Sequence, residues 1–364
     1  GRRSKDLFIF SQLKKSVMKY PLASTTWDQK EYAAIQEVMD TGMFTMGKKV
    51  EVFEQDFAQK FGSKYAIMVN SGSSANLIAV AALFFKKDNP LKAGDQVIVP
   101  AVSWSTTYHP LQQYGLHCKF VDIDLHTLNY DLDKLAEAVN DKTRMIMTVN
   151  LLGNPNDFDA IYQIIGERKI YLMEDNCESM GATYKNKQAG TIGDLGTYSS
   201  FFSHHISTME GGVVVTNNEE LYHIMLSLRS HGWTRHLPKK NLVTGTKSDD
   251  LFEESFKFVL PGFNLRPGEL HAAVGIEQLK KLDEFVLNRR KNAITFRRLF
   301  SNHPTFIIQQ EIGSSSWFGF SMVICDTATV TRQELVQLLT ENEIECRPIV
   351  SGNFLKNPVL KYYN

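Results

Sequence analysis

A chain of 364 residues, 43% hydrophobic and 22% charged, has the make-up of a globular enzyme with room for one large core and one smaller core. Lys+Arg and Asp+Glu both total 40, so the formal net charge is zero, which argues against a nucleic-acid surface as its main business. The longest apolar run, "NLIAVAALFF", is too short for a membrane span of about 20 residues, and four cysteines without C-x-x-C spacing make neither a disulfide framework nor a structural zinc site.

The opening "GRRSKDLFIFSQLKK" is basic but has no extended apolar region or small-residue cleavage site, so it makes a poor signal peptide. A soluble cytoplasmic protein is expected. From about residue 30 to 230, apolar runs alternate with helical patterns. The predicted strands are "YAIMV" (65–69), "QVIVP" (96–100), "KFVDI" (119–123), "RMIMTVN" (144–150), "IYLMED" (170–175), "GTYSSFF" (196–202) and "GGVVVTN" (211–217). Helical patterns such as "SSANLIAVAALFF" and "DFDAIYQIIGERK" separate several of them. Val/Ile-rich strands joined by helices predict a mostly parallel sheet in an α/β domain. After "PGFNLRP" (261–267) comes one long helical pattern through "ELHAAVGIEQLKKLDEFVLNRRKNAITFRRLF". A strand-like "SSWFGFSMVI" and a helical "RQELVQLLTENEI" then suggest a smaller α+β domain. The expected division is an N-terminal extension (1–19), a large domain (20–265) and a small one (266–364).

Four stretches carry chemistry. In "VNSGSSAN" (69–76) a strand ends in a Gly/Ser turn that opens a helix. The free N–H groups of a first helical turn and the serine hydroxyls there suit a phosphate, although an ordinary N-cap would look the same. In "YLMEDNCES" (171–179), Asp175 falls at the end of a buried strand, with Glu178 three residues on. A carboxylate at that edge of a parallel sheet is placed to hold a cationic cofactor nitrogen, or simply to cap the next turn. Trp104, just beyond "QVIVP", can stack on a planar ring or sit in the core. "SSFFSHHISTMEGG" (199–212) places His204 and His205 in a short connection between strands. A metal site is a poor reading of it, because adjacent side chains diverge and no ligand-spaced set accompanies them.

Taken together and in this order, these stretches resemble the DegT/DnrJ/EryC1/StrS family of sugar aminotransferases, from about "YPLASTTW" onward. The resemblance implies the type I aspartate aminotransferase fold and a pyridoxal 5′-phosphate (PLP) cofactor. Members of the family read approximately S-x-x-x-x-K-x-[LI]-[ST]-x-x-E-G-G, with the lysine binding the cofactor covalently. Here Ser199 takes the serine place, Glu210-Gly211-Gly212 close the pattern, and His204 stands where the lysine would be. No lysine occurs between Lys187 and Lys239. "SHHISTMEGG", "HGWTR", "FEESFKFVLPGFNLRP" and "IECRPIVSGNFLKN" match the small histidine-bearing branch of the family, whose members remove a sugar hydroxyl instead of installing an amine.

By that resemblance Gly72, Ser73 and Ser199 would hold the cofactor phosphate, with Glu178 nearby. Trp104 would stack on its ring and Asp175 would meet its ring nitrogen. Asn264 would reach the cofactor of a neighbouring subunit, implying a homodimer with shared sites. His231, Arg235, Glu345 and Arg347 would face the substrate. The implied partners are L-glutamate, which converts non-covalent PLP to pyridoxamine phosphate, and GDP-4-keto-6-deoxymannose. His204 would be the catalytic group. An ordinary pKa near 6.5 suits it to move a proton around neutrality and deliver it to the departing C3 hydroxyl.

The alternatives are an aminotransferase, which needs the missing lysine, and a CDP-sugar 3-dehydratase, which needs closely spaced cysteines for an iron–sulfur cluster. An inactive scaffold with this fold would have no need of so complete a cofactor cage. Members of the family usually run a few dozen residues beyond "LKYYN", so the small domain is expected to be incomplete.

Overall fold

The computed structural model of the chain describes residues 19–363; the predicted N-terminal extension lies, except for Lys19, outside the described residues. In chain order the first elements are α1 (Gln29–Thr41), α2 (Lys48–Phe61), β1 (Tyr65–Val69), α3 (Gly72–Phe84), β2 (Gln96–Pro100), α4 (Ser105–Gln113), β3 (His117–Val121), α5 (Leu132–Ala138) and β4 (Thr143–Val149). Then come α6 (Phe158–Ile165), β5 (Tyr171–Asp175), a two-residue hairpin of β6 (Thr183–Tyr184) and β7 (Lys187–Gln188), β8 (Leu195–Ser199), β9 (Gly212–Thr216) and α7 (Glu219–Leu228).

The seven-stranded sheet has the order β1-β9-β8-β5-β4-β2-β3. β9 alone runs antiparallel, to both β1 and β8, while the pairs from β8 through β3 are parallel. Period-2 alternation divides the side chains of each strand between two buried faces. Ile67, Val69, Val97, Val99, Met145, Met147, Met173 and Val214 join the core beneath α3, α4 and α7. On the opposite face, Ala66, Met68, Val213 and Val215 pack against α2, and Ile98, Ile146 and Leu172 against α5 and α6. Both faces are dry, which is why these strands read as unbroken apolar runs. The predicted strand at 119–123 is shifted by two residues. The change of character is at Val121, after which Asp122 and Asp124 serve the turn that follows.

The later helices are α8 (Leu251–Glu254), α9 (Glu269–Phe300) and α10 (Arg332–Glu341). The 32-residue α9 has the bounds its pattern predicts and lies against α1 and α2. Its first residue, Glu269, is buried because its carboxylate accepts the N–H groups of Gly47, Lys49 and Val50 at 2.7, 2.8 and 3.1 Å. It thereby caps α2, whose own N-cap is a glycine with no side chain to offer. The predicted strand within 315–324 shortens to Met322–Ile324, paired with Phe306–Ile308, because residues 314–318 instead form a turn whose carbonyls are clamped by arginines.

The last segment departs from the expected division. Residues 353–363, expected within the small domain (266–364), return to the large lobe: Phe354 is fully buried among its residues, its ring 4.2 Å from that of Tyr108. Phe354 N–H donates to the Ala101 carbonyl at 2.8 Å. No helix among the described residues is long and apolar enough to cross a membrane.

Candidate active site

Four parallel-oriented strands end at one edge of the sheet, and the site begins at or shortly beyond their last residues. β1 leads to the Ser71–Gly72–Ser73 turn, β2 to Trp104, β5 ends on Asp175 and β8 on Ser199. Beyond the carboxyl ends of such strands a crevice opens that strand side chains cannot fill. Here it is a cavity of about 530 Å³, lined at its base by Gly72, Ser73, Asp175, Cys177, Ser199 and His204 and at its far side by Glu178, Phe318 and Arg347.

The phosphate-like corner arises from helix geometry. Ser71 caps α3 by accepting the N–H of Ser74 at 3.0 Å, and the first intrahelical bond is made by Ala75 N–H to the Ser71 carbonyl. The N–H groups of Gly72 and Ser73 therefore precede the hydrogen-bonded helix, at its positive end. A Cβ added at Gly72 would lie 2.6 Å from Ser199 Cβ and 3.0 Å from Cys177 Sγ, so only glycine leaves the cradle open. Gly72→Ala is expected to weaken cofactor binding by about tenfold or more, roughly 1.4 kcal/mol. Titrating the apoprotein with PLP while following tryptophan fluorescence measures this.

Asp175 is 6% exposed. Its Oδ2 accepts from Asn76 Nδ2 at 2.9 Å and Thr107 Oγ1 at 2.7 Å, and its Oδ1 accepts the N–H of Cys177 at 3.2 Å. Thr197 Oγ1 in turn donates to Asn76 Oδ1, fixing which end of that amide faces the carboxylate. Below it, the buried Glu174 carboxylate gathers the N–H groups of Gly190, Ile192 and Gly193, tying the 190–193 loop to the end of β5. The Asp175 carboxylate, held by three neutral donors, suits a cationic ring nitrogen.

Trp104 is the N-cap of α4 and is 58% exposed, so it is not a core tryptophan and has a free face at the cavity rim. Cys177 lies at the cradle as a protonated thiol, since burial pushes its pKa well above the usual range. Glu178 accepts the N–H of Leu152 at 3.1 Å. Burial, with the Asp175 charge adding to it, pushes its pKa up to about 7 against the pull of Arg347.

His204 projects from the connection between β8 and β9. That connection folds back on itself through Ser200 N–H to Gly211 O, Thr208 N–H to Ser200 O and His204 N–H to Phe201 O. Gly211 and Gly212 are required because a Cβ at either would collide, with the Ser200 and Thr208 hydroxyls or with the Ser71 carbonyl. The imidazole lies against Phe318 and Phe201, with ring centroids at 5.1 and 5.9 Å, and its buried Nδ1 has no hydrogen-bond partner. Burial, then the charges of Arg347 and Arg289, lower its pKa to about 4. The sequence-based expectation of an ordinary pKa near 6.5 is therefore corrected: at neutral pH His204 is an uncharged base. His205 is structural, buried with Nε2 3.2 Å from the Ser316 carbonyl.

A partly buried imidazole, a glycine-only cradle at a helix start and a buried carboxylate, all lining one cavity, fit a phosphate-bearing pyridine cofactor. No lysine is among the residues lining it. Among the described residues no group of three or more His, Cys, Asp and Glu side chains suits a metal ion.

The remaining predicted site residues divide. Arg347 lines the cavity, with its guanidinium 5.7 Å from the Phe318 ring centroid. Asn264, His231, Arg235 and Glu345 do not line it. Asn264 is exposed and accepts from Arg266 Nε, while the adjacent Leu265 carbonyl accepts Asn70 N–H beside the phosphate turn. His231 is exposed with φ of 63°, Arg235 lies over the Trp233 ring, and Glu345 accepts the N–H of Leu22. Sequence reasoning missed Asn76, Thr107 and Phe318. The first two carry a local signal, one helical turn after Gly72 and three residues after Trp104; Phe318 carries none.

The family model for the DegT/DnrJ/EryC1/StrS aminotransferase family matches residues 25–362. The GDP-4-keto-6-deoxy-D-mannose 3-dehydratase of Escherichia coli O55:H7 (strain CB9615 / EPEC) is 64% identical over 349 residues, 96% of this chain and 90% of its own length. A solved structure of the E. coli GDP-4-keto-6-deoxy-D-mannose-3-dehydratase with bound hydrated PLP superposes with a TM-score of 0.94 at 65% identity, covering 95% of this chain and 90% of that one. A crystal structure of GDP-4-keto-6-deoxymannose-3-dehydratase with a trapped PLP-glutamate geminal diamine gives 0.93 at 65% identity, covering 94% and 89%.

Proposed function

The chain belongs to the DegT/DnrJ/EryC1/StrS aminotransferase family, and on that premise we propose that it removes the C3 hydroxyl of GDP-4-keto-6-deoxy-D-mannose to give GDP-4-keto-3,6-dideoxy-D-mannose. The observation that carries this reading is His204, a partly buried imidazole lining a cavity that has no lysine among its described lining residues. Bound there, PLP would supply an electron sink and an aldehyde able to accept the amino group of L-glutamate, with 2-oxoglutarate and ammonia as the co-products.

The residues divide the work. Gly72, Ser73 and Ser199 hold the phosphate, Trp104 covers the ring, and Asp175 keeps a positive charge on the ring nitrogen favourable. Holding is non-covalent, because histidine offers no primary amine. As a neutral base, His204 would take the proton from the cofactor carbon that bears the transferred nitrogen. Its low proton affinity then makes the imidazolium a strong donor to the departing C3 hydroxyl, so one proton serves both steps. Arg347 offers a positive charge to the substrate, and Glu178, its pKa pushed up to about 7 by burial, lines the same cavity.

Asn264, His231 and Arg235 act in a second copy's cavity. The exposed Leu251, Phe252 and Phe256 nearby, 85%, 90% and 73% accessible, fit a surface that a second copy covers. Cytoplasmic placement accords with four free cysteines. The deciding assay is incubation with PLP, L-glutamate and GDP-4-keto-6-deoxymannose, with products identified by mass and proton NMR. A C3 methylene with stoichiometric ammonia supports the reading, and a 4-amino sugar would replace it with transamination.

A further inference from the structure

The turn that carries Phe318 comes from far along the chain and is held more firmly than packing alone requires. Arg289 of α9 donates from one Nη1 to the carbonyls of both Trp317 and Phe318, each at 3.0 Å. Phe318 N–H donates to the Leu152 carbonyl at 3.0 Å, and the Leu152 N–H is the one bound to Glu178. Trp317 and Leu152 both adopt left-handed backbone, φ 48° and 55°, which bulky residues keep only where surrounding bonds enforce it. The outcome of this bracing is the placement of one ring. Phe318 lies with its centroid 5.1 Å from the His204 ring and 5.7 Å from the Arg347 guanidinium.

From this geometry we infer that Phe318 is the positioning residue for His204, with the Arg289 Nη1 and the Leu152 carbonyl fixing the turn that presents it. The inference deepens the proposed function and rests on His204 as the proton-transfer group. Nothing on the imidazole's own loop hydrogen-bonds its Nδ1, so ring contact is what orients it. The ring also excludes water from one side of the imidazole, and desolvation is the first cause of its lowered pKa. The charged and titratable groups around it are Arg289 and Arg347, His205 on its own loop, and Asp175, Glu178 and Glu210 lining the same cavity. Both arginines remain in a Phe318 variant, so a change in His204 there reports on the ring.

The test uses Phe318→Leu in two measurements. In the apoprotein, the His204 titration midpoint is read by imidazole NMR, assigned by the signal lost in His204→Gln. It is expected to rise from about 4 in the unsubstituted protein toward the ordinary 6.5. In turnover, kcat is expected to fall by about 10–100-fold with the KM for the sugar little changed, the pattern of a misoriented proton-transfer group. Arg289→Met removes both of its bonds to the turn and, read by kcat alone because the charge is lost with them, carries the same expected loss should Phe318→Leu fail to fold. A His204 midpoint and a kcat both unmoved in the folded variants would overturn the inference. Failure of the unsubstituted protein to form the deoxy product would instead overturn the functional reading, while the NMR arm would still report on Phe318.

Discussion

Replacing His204 with lysine is expected to attach the cofactor to the chain and to end loss of the C3 hydroxyl. The side chain would enter the same cavity between Phe201 and Phe318. Burial and the nearby Arg289 and Arg347 charges, which depress the imidazole, would depress an amine as well and leave it nucleophilic. A positioned acid–base group is worth about 10²–10⁴-fold, so deoxy product should fall by that much or more. Chromatography of the products and the visible absorption band of the cofactor check the two halves together. Undiminished deoxy product with no new band would show that the imidazole is not the group that matters.

The second large effect is expected at Asp175. Both of its carboxylate oxygens accept, Oδ2 from Asn76 and Thr107 and Oδ1 from Cys177 N–H. Asparagine in either orientation points an amide donor at another donor. The substitution also leaves the ring nitrogen's positive charge without a buried counter-charge, a loss of about 3–5 kcal/mol, or roughly 10²–10⁴-fold in rate. Asp175→Asn should therefore slow the glutamate-driven spectral change of the bound cofactor by that factor. A loss smaller than about tenfold would place the electron-sink function elsewhere.

Much of this site was legible because it grows from strand ends. Four runs stop where the cavity begins, so the parallel-sheet reading put Trp104 and Asp175 at one sheet edge, while the grouping of Gly72 and Ser199 with them, and the role of His204, came from the family resemblance. What escaped was set by contacts between distant segments. Phe318 reaches His204 from a turn that reads as a strand, because "SSWFGF" is apolar and aromatic while the Arg289 bonds that bend it come from a helix some thirty residues earlier. The pKa of His204 depends on those same arginines and on burial, neither of which is written in the loop itself. Phe354 gave no sign that it would return to the large core. Trp104 shows the opposite case, since its residue type favoured the interior and only its place after β2 argued for a cavity rim.

The central claim is that the cofactor is held without a covalent bond by a cavity whose acting base is an imidazole. Its most direct test is borohydride reduction of the unsubstituted protein carrying one equivalent of PLP, followed by intact-mass measurement and peptide mapping. The account predicts an unmodified chain and freely released cofactor. A stoichiometric pyridoxyl adduct on any residue of the cavity would contradict it.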